Sequence, residues 1–304
     1  MNNLEKKMDK GTNLVAKYYD SISKGYSRQY KVEDILTKDK YPQNYFRLKM
    51  LMKRLKTLGI KNIYEIGCGE GTPLAIIGKT GIKVAGCDIS SKMVDRTKDH
   101  ISEVALDPQR IQFGDIQNFN TISNQLSYGP YDSVVAFGVM PHVKDDDLVF
   151  SNIKKLLGKK GKIFIEFRNK LFSLFTFNRN TKEFIIDDLI KNISGDIKEK
   201  VSNELDKRLN LDHPKRRNGS LNSNISYDDI RAKFHNPFEV VEFVKKHGFH
   251  NHKIHWYHYH PAPPMLENNF KNDFWKEASK MEMGNNDWRG YFLCSAFVLE
   301  ATIG

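Results

Sequence analysis

The stretch Ile63-Tyr64-Glu65-Ile66-Gly67-Cys68-Gly69-Glu70-Gly71 decides the fold of this 304-residue chain. Apolar residues typical of a buried strand lead into a turn in which glycine occupies every second position. Glycine permits positive φ angles and leaves room for a ligand to approach the backbone. In an open α/β sheet, ligands bind at the carboxyl ends of the strands. The stretch therefore predicts a ligand site at this turn, although a purely structural turn would also use glycines.

Acidic residues follow three consecutive predicted strands. Glu65 precedes Gly67 by two residues, and a carboxylate there can face a ligand amine but would repel a pyrophosphate. Asp88 ends the second strand, where it can accept both hydroxyls of a ribose or, alternatively, cap the next helix. Asp115 ends the third strand, where a carboxylate suits the exocyclic amine of an adenine. The glycines are spaced Gly-x-Gly-x-Gly, which disfavours the Gly-x-Gly-x-x-Gly site of a nicotinamide dehydrogenase.

Strands and helices alternate outward from this turn, which favours a parallel sheet covered on both faces. The five predicted strands of this region are IYEIG, KVAGCD, RIQFGD, YDSVVAFGV and KIFIEF. A helix is predicted over residues 43–58, and the rhythm breaks at an insertion spanning residues 170–230. The remaining elements are a helix (PFEVVEFVKKHGF), a strand (KIHWYHYH), an amphipathic segment at 266–283 and a closing strand (YFLCSAFVLEA).

Four segments, in this order and spacing, resemble the class I S-adenosylmethionine-dependent methyltransferases of the small-molecule type: YEIGCGEGT, GCDISSKM, FGDIQ and YDSVVAFGVMPHV. The resemblance is firm over residues 60–168, whereas residues 237–300 match only the topology. It implies a doubly wound, Rossmann-like α/β fold with a seven-stranded, mostly parallel sheet and an antiparallel last strand. Residues 1–58 would form an N-terminal helical cap or lid, and residues 59–304 the methyltransferase domain. The insertion after the fifth strand, at 170–230, would form the acceptor-binding lid.

The resemblance also implies a cofactor, S-adenosyl-L-methionine, whose product is S-adenosyl-L-homocysteine, and assigns residues to it. The methionine part would contact Glu65, Gly67, Cys68 and Gly69, and the ribose and one adenine face would contact Asp88, Ile89 and Met93. The adenine edge would contact Asp115 and Ile116. The floor of the site would consist of Phe137, Gly138 and Val139. Tyr19 and Tyr26 would be lid residues or ordinary core aromatics. Arg47 would meet the cofactor carboxylate or lie exposed on its helix.

His142 is the candidate general base, because it follows the fourth strand and a hydroxyl or protonated amine acceptor needs a base. The alternative is that it packs beneath the cofactor. Glu166, Arg168 and Asn169 point toward the acceptor side. No metal is expected: the histidines at 250, 252, 255, 258 and 260 read better as a half-exposed strand than as ligands, since no acidic residue is interleaved.

The formal net charge is +11, which suits an anionic partner but also fits a solvated, lysine-rich surface. Only Lys215-Arg216-Arg217 forms a compact basic cluster. Three scattered cysteines and an N-terminus without an apolar segment favour a cytoplasmic protein, and no stretch is long and apolar enough for a membrane. A homodimer is compatible with these properties.

The acceptor class rests on motifs that the chain lacks. After the fourth strand it has Gly138-Val139-Met140-Pro141-His142, not the Asn/Asp-Pro-Pro-aromatic run of nucleic-acid amine methyltransferases or the Pro-Cys of pyrimidine C5 enzymes. We therefore expect a small-molecule acceptor methylated at oxygen or nitrogen, such as a sugar or a phosphorylated or nucleotide-linked metabolite. The alternatives are an RNA or protein methyltransferase and a non-catalytic module that only binds the cofactor.

Overall fold

The computed structural model describes residues 8–23, 43–211, 225, 227–270, 272–284 and 287–304. Its seven strands form one sheet. They are β1 (Asn62–Ile66), β2 (Lys83–Asp88), β3 (Ile111–Phe113), β4 (Tyr131–Ala136), β5 (Leu157–Arg168), β6 (Phe249–Tyr259) and β7 (Cys294–Ile303).

The strand order is β3-β2-β1-β4-β5-β7-β6. Strands β1 to β5 pair in parallel, and β7 runs antiparallel to both of its neighbours, β5 and β6. The order reverses beside β1, so the ends of β1, β2 and β4 meet at the point where open α/β sheets bind ligands. The predicted doubly wound fold with an antiparallel last strand is confirmed.

Helices cover both faces of the sheet. The α-helices are α1 (Lys10–Ile22), α2 (Gln43–Thr57), α3 (Thr72–Gly78), α4 (Ser91–Glu103), α5 (Asp146–Leu156), α6 (Arg179–Glu183), α7 (Gly195–Arg208), α8 (Pro237–Lys246), α9 (Glu267–Phe270), α10 (Asn272–Met283) and α11 (Gly290–Leu293). None of the helices in the described part of the chain combines the length and apolar character that crossing a bilayer requires.

Two hydrophobic clusters fill the space between the helices and the sheet. One contains side chains of α2, α3 and α4, and the other contains those of α5 and α8. Successive residues of β1 point to opposite faces, so Ile63 joins the first cluster and Tyr64 the second. Burial on both faces explains why the central strands are apolar throughout rather than alternating.

Helix α1 is held against the start of α4 by a polar contact. Ser90 caps α4 by accepting a hydrogen bond from the Met93 N–H at 3.1 Å. The same hydroxyl donates to Asp20 of α1 at 2.5 Å, and the Lys92 N–H donates to Asp20 at 3.2 Å. A carboxylate is favoured at the N-terminus of a helix, so Asp20 fixes α1 across the end of α4.

The described part of the segment that follows β5 contains several helical pieces. A 3-10 helix at Lys170–Phe175 leads into α6, a π-helix at Phe184–Leu189 and α7, and a further 3-10 turn covers Tyr227–Asp229. The predicted cluster Lys215-Arg216-Arg217 lies outside the described residues.

The closing strand begins later than the sequence pattern predicts. Residues 291–293 belong to the helical turn α11, and β7 starts at Cys294. The Asn169 side chain donates to the carbonyls of Tyr291 and Cys294, both at 2.8 Å, and this contact holds the turn against β5. The alternation of apolar and polar residues around Tyr291 gives no sign of a contact with a side chain so far away in the sequence. Strands β5 and β6 conversely start earlier than predicted, at Leu157 and Phe249.

A charged network joins α2 to the two outer strands. Arg54 donates two hydrogen bonds of 2.7 Å to Glu300 on β7, and His255 on β6 lies 2.8 Å from the same carboxylate. Burial opposes ionisation of Glu300, but the hydrogen bonds from His255 and Arg54 outweigh it and lower its pKa to about 2.

We predict that Glu300→Gln lowers the free energy of unfolding at pH 7 by about 1–2 kcal/mol, less than for a fully buried pair because Arg54 is partly exposed. A carboxylate with a depressed folded-state pKa stabilises the fold above its unfolded pKa, and loses that effect as the pH falls toward 2. The difference between wild type and variant should therefore shrink below pH 4.5. Urea denaturation at several pH values measures it, with the exposed Glu103→Gln as control; a pH-independent difference would contradict the assignment.

Candidate active site

A cavity lies at the carboxyl edge of the sheet, where β1, β2, β3 and β4 end beneath α1. Its empty volume, which includes open solvent, is about 680 Å³. The predicted site residues that line it are Tyr19, Gly67, Gly69, Asp88, Ile89, Asp115, Ile116, Phe137, Gly138, Val139 and His142. The fold therefore brings together residues that are separated by more than a hundred positions in the sequence.

The glycine turn needs glycine for two separate reasons. Gly67 and Gly69 have φ angles of 69° and 58°, in the left-handed region. A Cβ atom at Gly67 would lie 2.5 Å from Cγ2 of Val139, so the turn also packs tightly against the loop after β4. The N–H groups of Gly67 and Cys68 both donate to the Cys87 carbonyl, at 2.8 and 3.0 Å, which ties the turn to β2.

Glu65 lies just behind this turn, buried with only 4% of its surface exposed. It does not line the cavity, and its Oε2 has no hydrogen-bond partner among the described residues. Burial raises the pKa of Glu65 to about 8; Arg47 opposes this rise and Asp88 adds to it. A buried carboxylate oxygen without a donor is costly, so a ligand ammonium group placed at the turn would meet an unsatisfied acceptor.

Asp88 joins the turn to α4. Its Oδ2 accepts from the Gly69 N–H at 2.8 Å, and its Oδ1 accepts from the Ser90 N–H at 2.9 Å. The cap of α4 is Ser90, so the alternative of Asp88 as the helix cap is not what the structure shows. Burial raises the pKa of Asp88 to about 6 despite these two donors. Each carboxylate oxygen keeps a lone pair that can accept a hydroxyl of a ligand.

Asp115 lies at the far end of the cavity. Its Oδ1 accepts from the Gln117 N–H at 2.9 Å, and burial raises its pKa. The Gln117 side chain in turn accepts from the N–H groups of Lys144 and Asp145, at 2.8 and 3.1 Å, and so connects the loops after β3 and β4.

Several lining residues were not predicted from the sequence, among them Thr12, Val15 and Gln117. Thr12, Val15 and Tyr19 are spaced three and four residues apart on α1, which is the spacing of one helical face. This periodicity in the sequence could have placed Thr12 and Val15 on the same helical face as Tyr19. Gln117 follows Asp115 within the FGDIQ segment and had no separate signal.

His142 has a defined hydrogen-bonding arrangement. Its Nδ1 lies 2.5 Å from the Arg231 carbonyl oxygen, and a carbonyl only accepts, so Nδ1 carries a proton. In the neutral ring Nε2 is then the acceptor, and the Tyr19 hydroxyl donates to it across 3.2 Å. Burial raises the pKa of Tyr19, which keeps this hydroxyl protonated. The lone pair of His142 Nε2 therefore lies at the wall of the cavity.

Arg47 is neither exposed nor on the cavity wall. Its side chain forms a buried ion pair with Glu166 of β5, and its guanidinium lies 4.7 Å from the centre of the Phe137 ring. Glu166 also accepts from the Gly138 N–H at 2.9 Å. The pair therefore supports the floor of the cavity from behind, and the carboxylate that Arg47 meets in the structure is that of Glu166.

Two other predicted residues, Cys68 and Met93, do not line the cavity. The Cys68 side chain points away, with Sγ 3.7 Å from the Thr97 hydroxyl. Met93 is buried within α4. Tyr26 lies outside the described residues.

The histidine run lies along β6 and the residue after it, with its members in different surroundings. His255 contacts Glu300, and His258 Nδ1 lies 2.7 Å from the Ser295 hydroxyl. The described part of the chain contains no group of three or more His, Cys, Asp or Glu side chains placed to hold a metal ion.

Comparison with known proteins identifies the central part of the chain. Residues 64–163 match a family described as a methyltransferase domain. The chain is 26% identical over 148 residues to the ubiquinone biosynthesis O-methyltransferase of Coxiella burnetii, covering 49% of this chain and 60% of that protein. It is 25% identical over 145 residues to the Proteus mirabilis protein of the same name, covering 47% and 53%. The chain thus spans less than two thirds of the length of these relatives.

The same fold occurs in a crystal structure. The magnesium protoporphyrin IX methyltransferase of Synechocystis PCC 6803, with bound S-adenosylhomocysteine, superimposes with a TM-score of 0.50 at 15% identity. The alignment covers 97% of this chain and all of that chain. The matched domain implies S-adenosylmethionine as the cofactor.

We predict that Gly67→Ala weakens binding of S-adenosylhomocysteine by at least about tenfold, because the new methyl group displaces Val139 and strains the turn. Gly81→Ala is the matched control, since Gly81 also has a positive φ but its Cβ would meet nothing within 4 Å. Titration calorimetry measures both affinities. Equal losses for the two variants would show that backbone strain, rather than the contact with Val139, is responsible.

The raised pKa of Glu65 predicts how the stability of the ligand-free protein depends on pH. A carboxylate whose folded-state pKa is raised stabilises the ligand-free protein below its unfolded pKa, and that stability is lost as the pH rises toward about 8. Between pH 6 and 8 the ligand-free wild type should lose about 1–2 kcal/mol of stability, and Glu65→Gln should flatten this dependence. The variant should nevertheless bind S-adenosylhomocysteine at least about tenfold more weakly, because a neutral amide attracts an ammonium group less.

Denaturation and calorimetry at pH 6, 7 and 8 measure the two effects, with Glu103→Gln as the control. A variant with unchanged ligand affinity would contradict the role of Glu65 at the amine, whatever its stability.

Proposed function

We propose that this chain, which carries a class I S-adenosylmethionine-dependent methyltransferase domain, transfers a methyl group to oxygen or nitrogen of a small molecule. The observation that carries the proposal is the His142 ring, whose Nδ1–H donates to the Arg231 carbonyl while Nε2, at the cavity wall, accepts from the Tyr19 hydroxyl. The O-methyltransferase relatives support an oxygen acceptor.

Three acidic residues, one behind the glycine turn and two on the cavity wall, fit the cofactor. Glu65, with its unpartnered Oε2, would accept from the ammonium group. Asp88 would accept from the ribose hydroxyls through its remaining lone pairs, and Asp115 would accept from the adenine amine. Gly67 and Gly69 would leave the backbone open to the amino-acid part. When bound, S-adenosylmethionine supplies a methyl group that its sulfonium already activates.

His142 would act as the general base. The Arg231 carbonyl holds the ring with Nε2 toward the cavity, so the imidazole needs no reorientation before it accepts a proton. In the ligand-free protein the Tyr19 hydroxyl occupies this acceptor position, and an acceptor hydroxyl would replace it. A proton leaving the acceptor would then move to Nε2, which leaves a more nucleophilic oxygen.

The acceptor would bind between α1 and the insertion. The rings of Tyr19 and Tyr227 lie edge-on to His142, with ring centres 5.9 and 6.0 Å from its own, and the Tyr18 ring contacts both of these tyrosines. Arg168 lies 5.0 Å from the centre of the Tyr227 ring. These aromatic and cationic groups favour a planar, hydroxyl-bearing or anionic acceptor, and on this proposal the insertion would act as an acceptor lid. A sugar or nucleotide-linked acceptor stays a prediction.

Transfer of labelled methyl groups tests the proposal. The protein is incubated with S-adenosylmethionine labelled at the methyl group and, separately, with pools of phenols, sugar nucleotides, small amines and RNA. We expect label in a small-molecule pool. Label only in RNA or in protein would overturn the acceptor class. Tight binding of S-adenosylhomocysteine with no transfer to any pool would favour a non-catalytic module.

We predict that His142→Gln lowers kcat by about 10²–10⁴-fold with less than about threefold change in cofactor affinity, because it removes the base and keeps a polar side chain. The rise of kcat with pH should also disappear. Steady-state kinetics across pH 5.5–9 measures both, with the half-buried Tyr128→Phe as the control variant. A variant with normal kcat and weakened cofactor binding would instead assign His142 to packing against the cofactor.

A further inference from the structure

A second, larger recess lies beside β6, at the edge of the sheet. It is bounded by α2 on one side and by the end of α10 on the other, and its empty volume, including open solvent, is about 1250 Å³. None of its lining residues lines the cavity below α1. We call this recess the edge groove.

One end of the edge groove is cationic. Lys49 and Lys53 lie one turn apart on α2, and Lys253 lies on β6 opposite them. No described carboxylate forms an ion pair with any of the three, whereas Arg54 beside them is neutralised by Glu300. Three unneutralised lysines that converge on one recess raise the local concentration of anions.

The walls of the other end are apolar, and a negatively charged carboxylate lies beside them. Phe46 of α2, Met281 of α10 and the Tyr259 ring form its walls. The Glu282 carboxylate at this end accepts from the Tyr259 N–H at 3.1 Å, so an anion is disfavoured here. The groove therefore has a direction, with positive charge at Lys253 and apolar surface toward Tyr259.

The dimensions fit an elongated occupant. At about 3.3 Å per residue, the segment from Lys253 to Tyr259 extends for roughly 20 Å. Met50, Met281 and Met283 contribute flexible thioether side chains, which adapt to apolar ligands of different shapes. A compact anion such as free phosphate would use only the lysine end of such a recess.

We propose that the edge groove binds an elongated amphipathic anion, with its carboxylate or phosphate at Lys53 and Lys253 and its apolar chain or ring against Phe46, Met281 and Tyr259. This ligand site is separate from the cofactor cavity, and the inference does not depend on methyl transfer. The two sites share α2: Arg47, next to Phe46, pairs with Glu166, and Glu166 accepts from the Gly138 N–H.

Titration calorimetry with monomeric decanoate and decyl phosphate tests the proposal. We expect saturable binding of both, weaker binding at high salt, and no comparable binding of inorganic phosphate or uncharged decyl glucoside. Saturating S-adenosylhomocysteine should not compete. Binding only to anionic phospholipid vesicles, or only to an acidic peptide, would overturn the proposal in favour of a membrane surface or a protein partner. Competition by S-adenosylhomocysteine would place the anion in the cofactor cavity and overturn it as well.

Charge-reversal variants locate the site. Lys53→Glu and Lys253→Glu should each weaken decanoate binding by about tenfold, whereas Lys200→Glu on the exposed side of α7 should change it less than about twofold. All three should keep the S-adenosylhomocysteine affinity of the wild type, and Lys53→Glu and Lys200→Glu should also keep its melting temperature, whereas Lys253→Glu places a second carboxylate opposite Glu300 and should lower it slightly. Equal losses in all three variants would show a general effect of net charge and would contradict a site in the groove.

Discussion

The hydrogen bond from the Gly69 N–H to the Asp88 carboxylate is the contact on which the site depends. It joins the turn after β1 to the end of β2, while the second Asp88 oxygen holds the start of α4. With the Cys87 carbonyl, it keeps the glycine turn open and close to Val139. The sheet positions the strand ends, and the Asp88 carboxylate fixes the loops after β1 and β2 beside the cavity.

The site is assembled at a cost in stability. Glu65 and Asp88 are buried carboxylates whose pKa values are raised, so the ligand-free protein holds them in an environment that disfavours their charge. The Arg47–Glu166 pair offsets part of this by placing a cation behind the floor. A positively charged ligand would offset the rest. Such a balance is typical of a binding site, where the polar groups are fixed before the ligand arrives.

The parts that local sequence determines were predictable. The glycine turn, the strand end at Asp88, and the alternation of strands and helices follow from residues close together in the chain, although β3 ends at Phe113, two residues before the predicted Asp115. Contacts between distant residues were not. The Arg231 carbonyl at His142, Glu166 as the partner of Arg47, and Asn169 at the turn before β7 join segments more than eighty residues apart. Neither spacing nor composition encodes such pairs, because only the folded backbone brings these distant segments together.

The most direct test of the account is calorimetry of S-adenosylhomocysteine binding to wild type and to Asp88→Ala, with the exposed Asp95→Ala of α4 as control. The account predicts saturable binding to wild type and Asp95→Ala, and a loss of at least about a hundredfold for Asp88→Ala, since both the ribose acceptor and the anchor of the turn are removed. No association with wild type, or equal affinity for Asp88→Ala and the control, would contradict it.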